Sequence, residues 1–391
     1  MKLVSLFILL YLIKCTAFAQ LQRGFEPQEA KEMIALCNSY TYLELYNDDR
    51  AIIPKGYTKI YSSPVRGMDN KFQVYTKGDI GVINFRGSTA EKSSWMENLH
   101  SALIPVDDTI KIQEKIFFYK FGEDTASGVH CGFALGLAYL HEELIEQINA
   151  LNKNGIKNII LTGHSQGGAI ALLTRAYLEY STNGILNKEN KYKVYAFGQP
   201  MIGNIEFVRE YNTKFCSNEM SFSMINSADV VPKMPLSYND STFLRDNLID
   251  LLSKEKEFDR NQMLKDGLIM LFEKKLNAMA EKFGQSVNEQ IEKELGNIDL
   301  PHPKNEINYS QICNIIMLPP PDCPLELKDP SLLNDSTFMA THPKDQNGIF
   351  QDKSVYKKTP MSLNHKPYNY YTSLLKVYFP KEYEKVDPKL F

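Results

Sequence analysis

The pentapeptide Gly163-His164-Ser165-Gln166-Gly167 constrains this chain more than any other feature. Before it stands the short β-branched run Ile156 to Thr162; after it, Gly167 to Tyr180 is rich in Ala and Leu and stops at Ser181-Thr182-Asn183-Gly184. The first run reads as a buried parallel strand, the second as a helix. A serine on a sharp strand-to-helix turn must adopt a strained backbone, and its flanking glycines let the chain approach itself closely. The turn lifts the serine Oγ off the sheet and aims the first helical N–H groups at a developing oxyanion. A bare G-x-S-x-G arises by chance; the strand before it and the helix after it make this one specific.

The rest of the chain fits the same plan. Glu26 to Tyr46 has helical periodicity, with Met33, Ile34, Cys37 and Tyr40 on one side. Strand-like runs occupy Tyr57 to Tyr61, Phe72 to Tyr75 and Ile80 to Phe85, and a helix is expected over Gly132 to Leu151. Further strands are expected at Tyr192 to Phe197 and Met220 to Ile225. Alternating strands and helices predict an α/β fold with a mostly parallel sheet. The sequence reads as one such domain over 20–391, with a helical and loop insertion at about 240–360. Within the insertion, Leu264, Leu268, Leu271, Phe272, Leu276, Met279, Phe283, Val287, Ile291 and Leu295 recur at three- or four-residue steps, which predicts one or two long amphipathic helices over 240–295. These are expected to form a cover over the acyl pocket, or a rim beside it. A distal hairpin is the alternative. Residues 296–360 read as loop, and regular structure returns near Tyr368 to Phe379.

The N-terminus reads as a signal peptide over residues 1–19. Lys2 precedes the apolar run Leu3 to Ile13, and Ala17-Phe18-Ala19 places a cut before Gln20. An anchor helix and a lipoprotein cut before Cys15 are the alternatives. The expected product is secreted or periplasmic. Neither that run nor any later segment is long enough to span a bilayer. A net charge of -3 gives no basic excess for a nucleic acid. The absence of a CxxC pair argues against a zinc cage. Cys313 and Cys323 bracket a proline-rich loop and are the candidate disulfide, while Cys37 and Cys131 read as buried thiols.

A nucleophilic Ser165 needs a base and a group to orient it. In this fold class the chain order is serine, acid, histidine. Asp229 follows the strand Met220 to Ile225, in Asn226-Ser227-Ala228-Asp229-Val230-Val231-Pro232. His302, His342 and His365 lie downstream. His365 has a regular segment directly behind it to support it, whereas the other two sit before prolines in polar loops. The expected catalytic set is therefore Ser165, Asp229 and His365. The oxyanion is assigned to the N–H of Gln166 and to Ser88, in Phe85-Arg86-Gly87-Ser88-Thr89 after an earlier strand. No metal or organic cofactor is needed for this chemistry.

Taken together, Phe85-Arg86-Gly87-Ser88, Trp95, Asn98-Leu99, Val129 to Phe133, Leu161 to Gly168, Tyr195 to Pro200 and Asn226 to Pro232 resemble the class 3 lipase family. The resemblance implies an α/β-hydrolase fold and an esterase or triacylglycerol lipase activity using Ser, Asp and His; with the signal peptide, the expectation is a secreted serine ester hydrolase, a lipase acting on acylglycerols or other carboxylic esters at a lipid–water interface. A phospholipase A1, a feruloyl-type esterase or a non-catalytic lipid-binding protein would use the same scaffold. It also implies that Ser88 is the oxyanion residue and that Asn98 stands where an aspartate often braces that hydroxyl, accepting through its amide oxygen. Gln166 replaces a leucine common in fungal members and is expected to add polarity to the pocket. Residues 90–121 correspond to the family's lid region.

Overall fold

The computed structural model describes residues 21–180, 184–235 and, with interruptions, 289–386. The expected signal peptide, residues 240–288 of the helices expected within 240–295, Cys313 and Cys323 lie outside the described residues.

A seven-stranded sheet runs through the molecule in chain order: β1 (Thr58–Ser62), β2 (Phe72–Lys77), β3 (Ile80–Phe85), β4 (Asn158–His164), β5 (Lys191–Phe197), β6 (Ser221–Asn226) and β7 (Ile315–Leu318). The first three strands are antiparallel neighbours, and from β3 to β7 every pairing is parallel. Side chains alternate across the sheet with the period of an extended chain. Phe72, Val74, Ile83, Ile159, Leu161, Val194 and Ala196 face α3 (Cys131–Lys153) and α4 (Gln166–Tyr180). Tyr75, Val82, Ile160, Tyr195, Phe197 and Phe222 face α1 (Pro27–Tyr46) and α5 (Pro367–Tyr378). Fully burying each large aliphatic side chain contributes about 1.5–3 kcal/mol, so both sheet faces need their helical cover. A mostly parallel sheet, covered on both faces, with a serine turn between β4 and α4, is the α/β-hydrolase fold.

Polar anchors fix α1 to the sheet. The fully buried Lys193 of β5 reaches Glu29 at 2.6 Å and the Gln22 carbonyl at 2.9 Å, and Tyr195 donates to the same Glu29 at 2.8 Å. An unpaired ammonium there would be costly, so the lysine holds the N-terminal segment in place. Cys37 and Cys131 are buried free thiols, as expected, and burial pushes Cys37 up to about 12. Cys216 is disulfide-bonded, with its partner outside the described residues.

One expectation needs correction. Ile315–Leu318 is not loop but the last parallel strand, pairing with Ser223 to Asn226. Four residues before a run of prolines are too few to show a period, and only the β6 edge makes them a strand. Residues 90–121, which correspond to the lid region of the family that the sequence resembles, contain α2 (Lys92–Leu99) and a hairpin of Asp107–Ile112 with Lys115–Lys120. Helix α2 is seated firmly on α3. A Cβ on Gly132 would come within 1.9 Å of the Glu97 carbonyl oxygen, so only glycine permits this approach. The Glu97 side chain enters the gap, fully buried, and receives the Asn70 amide at 2.5 Å.

Two predictions follow from this contact. Gly132→Ala should destabilise the protein by about 1–3 kcal/mol or more, because the clash is with backbone; chemical denaturation measures it, and a loss under about 0.5 kcal/mol would mean that the helices separate freely. Burial raises the Glu97 carboxyl well above its ordinary 4.5, with the Asp69 charge adding to the rise against the hydrogen bonds of Asn70 and Gln166. Below that ordinary value both folded and unfolded chains hold the proton. As pH rises above it, only the unfolded chain releases the proton, so stability falls. Glu97→Gln removes this dependence. The variant should gain on the wild type in urea unfolding from pH 5 to pH 8, with the gain vanishing near pH 4; a constant difference across that range would contradict the reading.

Candidate active site

The C-terminal ends of the parallel strands gather the residues singled out in the sequence, as expected for an open α/β sheet. Ser165 lies between the last residue of β4 and the first of α4, with φ 58°. That is the left-handed region, sparsely used by residues with a side chain. The strain is held from several directions. Ser165 N–H donates to the Phe197 carbonyl at 2.8 Å, and its own carbonyl accepts from Gly168 and Ala169. A Cβ at Gly167 would lie 2.2 Å from the Phe85 carbonyl oxygen, so the helix start can press against the end of β3 only with glycine there.

His365 ends the 3-10 turn Met361–His365, just before α5. Its Nε2 is 2.8 Å from Ser165 Oγ and its Nδ1 is 2.7 Å from Asp229 Oδ2. Asp229 follows β6 and is fully buried. Besides the imidazole, its Oδ2 accepts from the Tyr370 hydroxyl at 2.7 Å, and its Oδ1 from the Val231 N–H at 3.0 Å. Three residues 64 to 200 positions apart in the sequence thus form one chain of hydrogen bonds. The asparagine ending β6 adds a tie, because Asn226 Nδ2 donates to the Asn364 carbonyl at 2.9 Å.

Sequence reading missed Tyr370. Its hydroxyl also accepts from the Asn226 N–H at 3.2 Å, so it joins α5, β6 and Asp229 in one contact. The available signal was a tyrosine one helical turn into the segment behind His365. His164 lies beside the site, as expected. Its ring centre is 4.6 Å from that of His365, and burial keeps it well below the ordinary histidine range and thus neutral. His342 stacks on Phe338 with ring centres 3.9 Å apart, its Nε2 3.8 Å from Asp352, and His302 is exposed. Neither lines the cleft at Ser165.

Ser88 sits in the loop after β3, within the same cleft. Two expectations about its surroundings are corrected. Asn98 does not accept from the Ser88 hydroxyl; its Nδ2 donates to Ser88 Oγ at 2.9 Å. The Gln166 side chain does not add polarity to the pocket; it is buried beneath the loop, where its Oε1 accepts from Ser88 Oγ at 2.9 Å. The cleft has a volume of about 730 Å³, and Tyr40, Trp95, Phe133, Pro200, Val231 and Met234 give it an apolar lining around Ser165, Ser88 and His365. This is the composition expected of a pocket for a largely apolar ligand with a few oriented polar groups.

Comparison with known proteins places this geometry. The family described as lipase (class 3) matches residues 82–239, which include Ser88, Asn98, Ser165, Gln166 and Asp229. The lipase ZK262.3 of Caenorhabditis elegans is 35% identical over 106 residues, 26% of this chain and 28% of that protein. The secreted mono- and diacylglycerol lipase LIP4 of Malassezia restricta is 26% identical over 42% of this chain and 50% of its own length. The chain thus spans about a quarter to a half of the length of these relatives. Among solved structures, a Rhizomucor miehei triacylglyceride lipase is 22% identical over 55% of this chain and 77% of its own, with a TM-score of 0.41. Residues 82–239 of this chain match the class 3 lipase family.

Proposed function

We propose that this protein is a lipase-type serine hydrolase that cleaves carboxylic esters of lipids, acylglycerols first among them. The single observation that carries the reading is the continuous run Ser165 Oγ, His365 Nε2, His365 Nδ1 and Asp229 Oδ2, with spacings of 2.8 and 2.7 Å, opening on an apolar cleft. Ser165 Oγ attacks the ester carbonyl while His365 Nε2 takes its proton. Asp229 holds the Nδ1–H and stabilises the imidazolium; Tyr370 and the Val231 N–H keep the carboxylate aimed. The tetrahedral oxyanion is met by the Gln166 N–H at the start of α4 and by Ser88. Collapse breaks the ester C–O bond, His365 returns the proton to the leaving alcohol, and the acyl group stays on Ser165. Water, activated by the same histidine, then releases the acid and restores the serine. The relatives' names as lipases support an acylglycerol substrate. The signal-like N-terminus supports export of the enzyme to act at a lipid–water interface.

Ser165→Ala should lower turnover of p-nitrophenyl butyrate by about 10⁶-fold and abolish labelling by a fluorophosphonate probe. His365→Ala should lose nearly as much, whereas His342→Ala should stay within about tenfold of the wild type. Ten per cent residual activity in the serine variant, or a dead His342→Ala beside an active His365→Ala, would overturn the assignment. Assays on triolein, monoolein and phosphatidylcholine define the lipid class. If the protein is exported, N-terminal sequencing of the protein recovered from the medium should begin at Gln20; a product that begins at Met1 contradicts cleavage.

A further inference from the structure

The oxyanion loop is held from beneath by one amide. Gln166 Oε1 accepts from Ser88 Oγ at 2.9 Å, from Asn98 Nδ2 at 2.9 Å and from Ser94 Oγ at 3.2 Å. These donors come from the loop after β3 and from two positions of α2. Gln166 Nε2 points the other way and donates to Asn70 Oδ1 at 3.2 Å, while the Asn70 amide is held in turn by buried Glu97. Three donors on one side and an acceptor on the other fix which end of the amide is oxygen. Gln166 is almost fully buried, so water does not compete for these bonds.

We propose that the Gln166 side chain is a positioning residue of the oxyanion hole, holding the Ser88 hydroxyl in place and releasing its proton toward the substrate as charge develops. This rests on the ester-hydrolase reading above. The chemistry follows from counting hydrogens. Ser88 Oγ has one, and in the resting enzyme it is directed at Gln166 Oε1. Asn98 Nδ2 shares its two hydrogens among the Ser94 carbonyl, Gln166 Oε1 and the same Oγ; donating to Oγ, it fixes the oxygen and leaves the O–H free to rotate. When the substrate carbonyl becomes an oxyanion, the hydroxyl turns to it. Gln166 Oε1 is then still satisfied by the Ser94 hydroxyl, so no buried acceptor is orphaned. A neutral amide oxygen lets the proton go more readily than a carboxylate would, since hydrogen bonds to an ionised acceptor are about twice as strong. The elbow residue thus serves the oxyanion twice, directly through its main chain and indirectly through its side chain.

The test is a cycle of Gln166→Leu, Ser88→Ala and the double variant, assayed on p-nitrophenyl butyrate. Ser88→Ala should cost about 10²–10³-fold in kcat. Gln166→Leu should cost about 10–100-fold in kcat and leave KM within about twofold, because the lost alignment matters only to the transition state. The double variant should lie within about threefold of Ser88→Ala alone, since the brace then has no hydroxyl to hold. A residue that merely supports packing would give losses that multiply, or would raise KM. Multiplying losses, or a kcat for Gln166→Leu within threefold of the wild type, would overturn the proposal. If Gln166→Leu does not fold, Asn98→Ala, at a half-buried position, carries the same expected split and the same non-additivity with Ser88→Ala. A wild type that neither hydrolyses esters nor reacts with the fluorophosphonate fails the hydrolase reading itself; an active wild type with an indifferent Gln166→Leu fails the brace alone.

Discussion

The structure of the cleft depends on one backbone angle. Ser165 is held at φ 58°, a conformation that costs of order 1–3 kcal/mol and persists only where the surroundings impose it. Those surroundings are the sheet on one side and α4 on the other. Phe197 of β5 takes the serine N–H, and Gly167 lets α4 press on the end of β3. The parallel pairing of β3, β4 and β5 is what brings both supports to the same place. The His365 and Asp229 side chains line up on the hydroxyl that this turn presents.

Asp229 shows how burial and hydrogen bonding work together. A fully buried carboxylate would be expensive alone, yet it accepts from an imidazole, a phenol and a main-chain N–H. The phenol belongs to α5, the helix directly behind His365. The acid and the histidine are therefore oriented by the same element, across a gap of 136 residues in the chain. Beneath the opposite wall, an amide network from Ser88 through Gln166 and Asn70 to Glu97 does the equivalent for the loop after β3.

Much of this was legible in the sequence because it depended on local chemistry. The elbow has flanking glycines between a β-branched run and an Ala-rich helix, and the alternation of strands and helices announced the sheet. Ser165, Asp229 and His365 were picked out by order and by their position at element ends, and they do lie in one hydrogen-bonded chain. What was not legible is relational. β7 is a strand only because β6 offers an edge, and Tyr370 reaches Asp229 only because α5 crosses β6. The Gln166 side chain was expected in the pocket because a polar residue beside a nucleophile suggests exposure. It is buried because Ser88, Ser94 and Asn98 converge on it from α2 and the preceding loop, a convergence that no spacing encodes. The donor sense at Asn98 was reversed for the same reason, since which amide atom faces a hydroxyl is decided by neighbours from elsewhere in the chain.

The cover of α1 and α5 over one face of the sheet bears on where a minimal fragment could be cut. The stretch that matches the family, residues 82–239, contains neither helix, nor β1, β2 or β7. Excised, it would bare Val82, Ile160, Tyr195, Phe197, Phe222 and Met224 as one continuous apolar sheet face, well beyond what a soluble surface tolerates. It would also strand Lys193 without Glu29 and Asp229 without His365 and Tyr370. The matched segment is thus not a complete folding unit, since strands, helices and the His365 contact are supplied from both of its flanks.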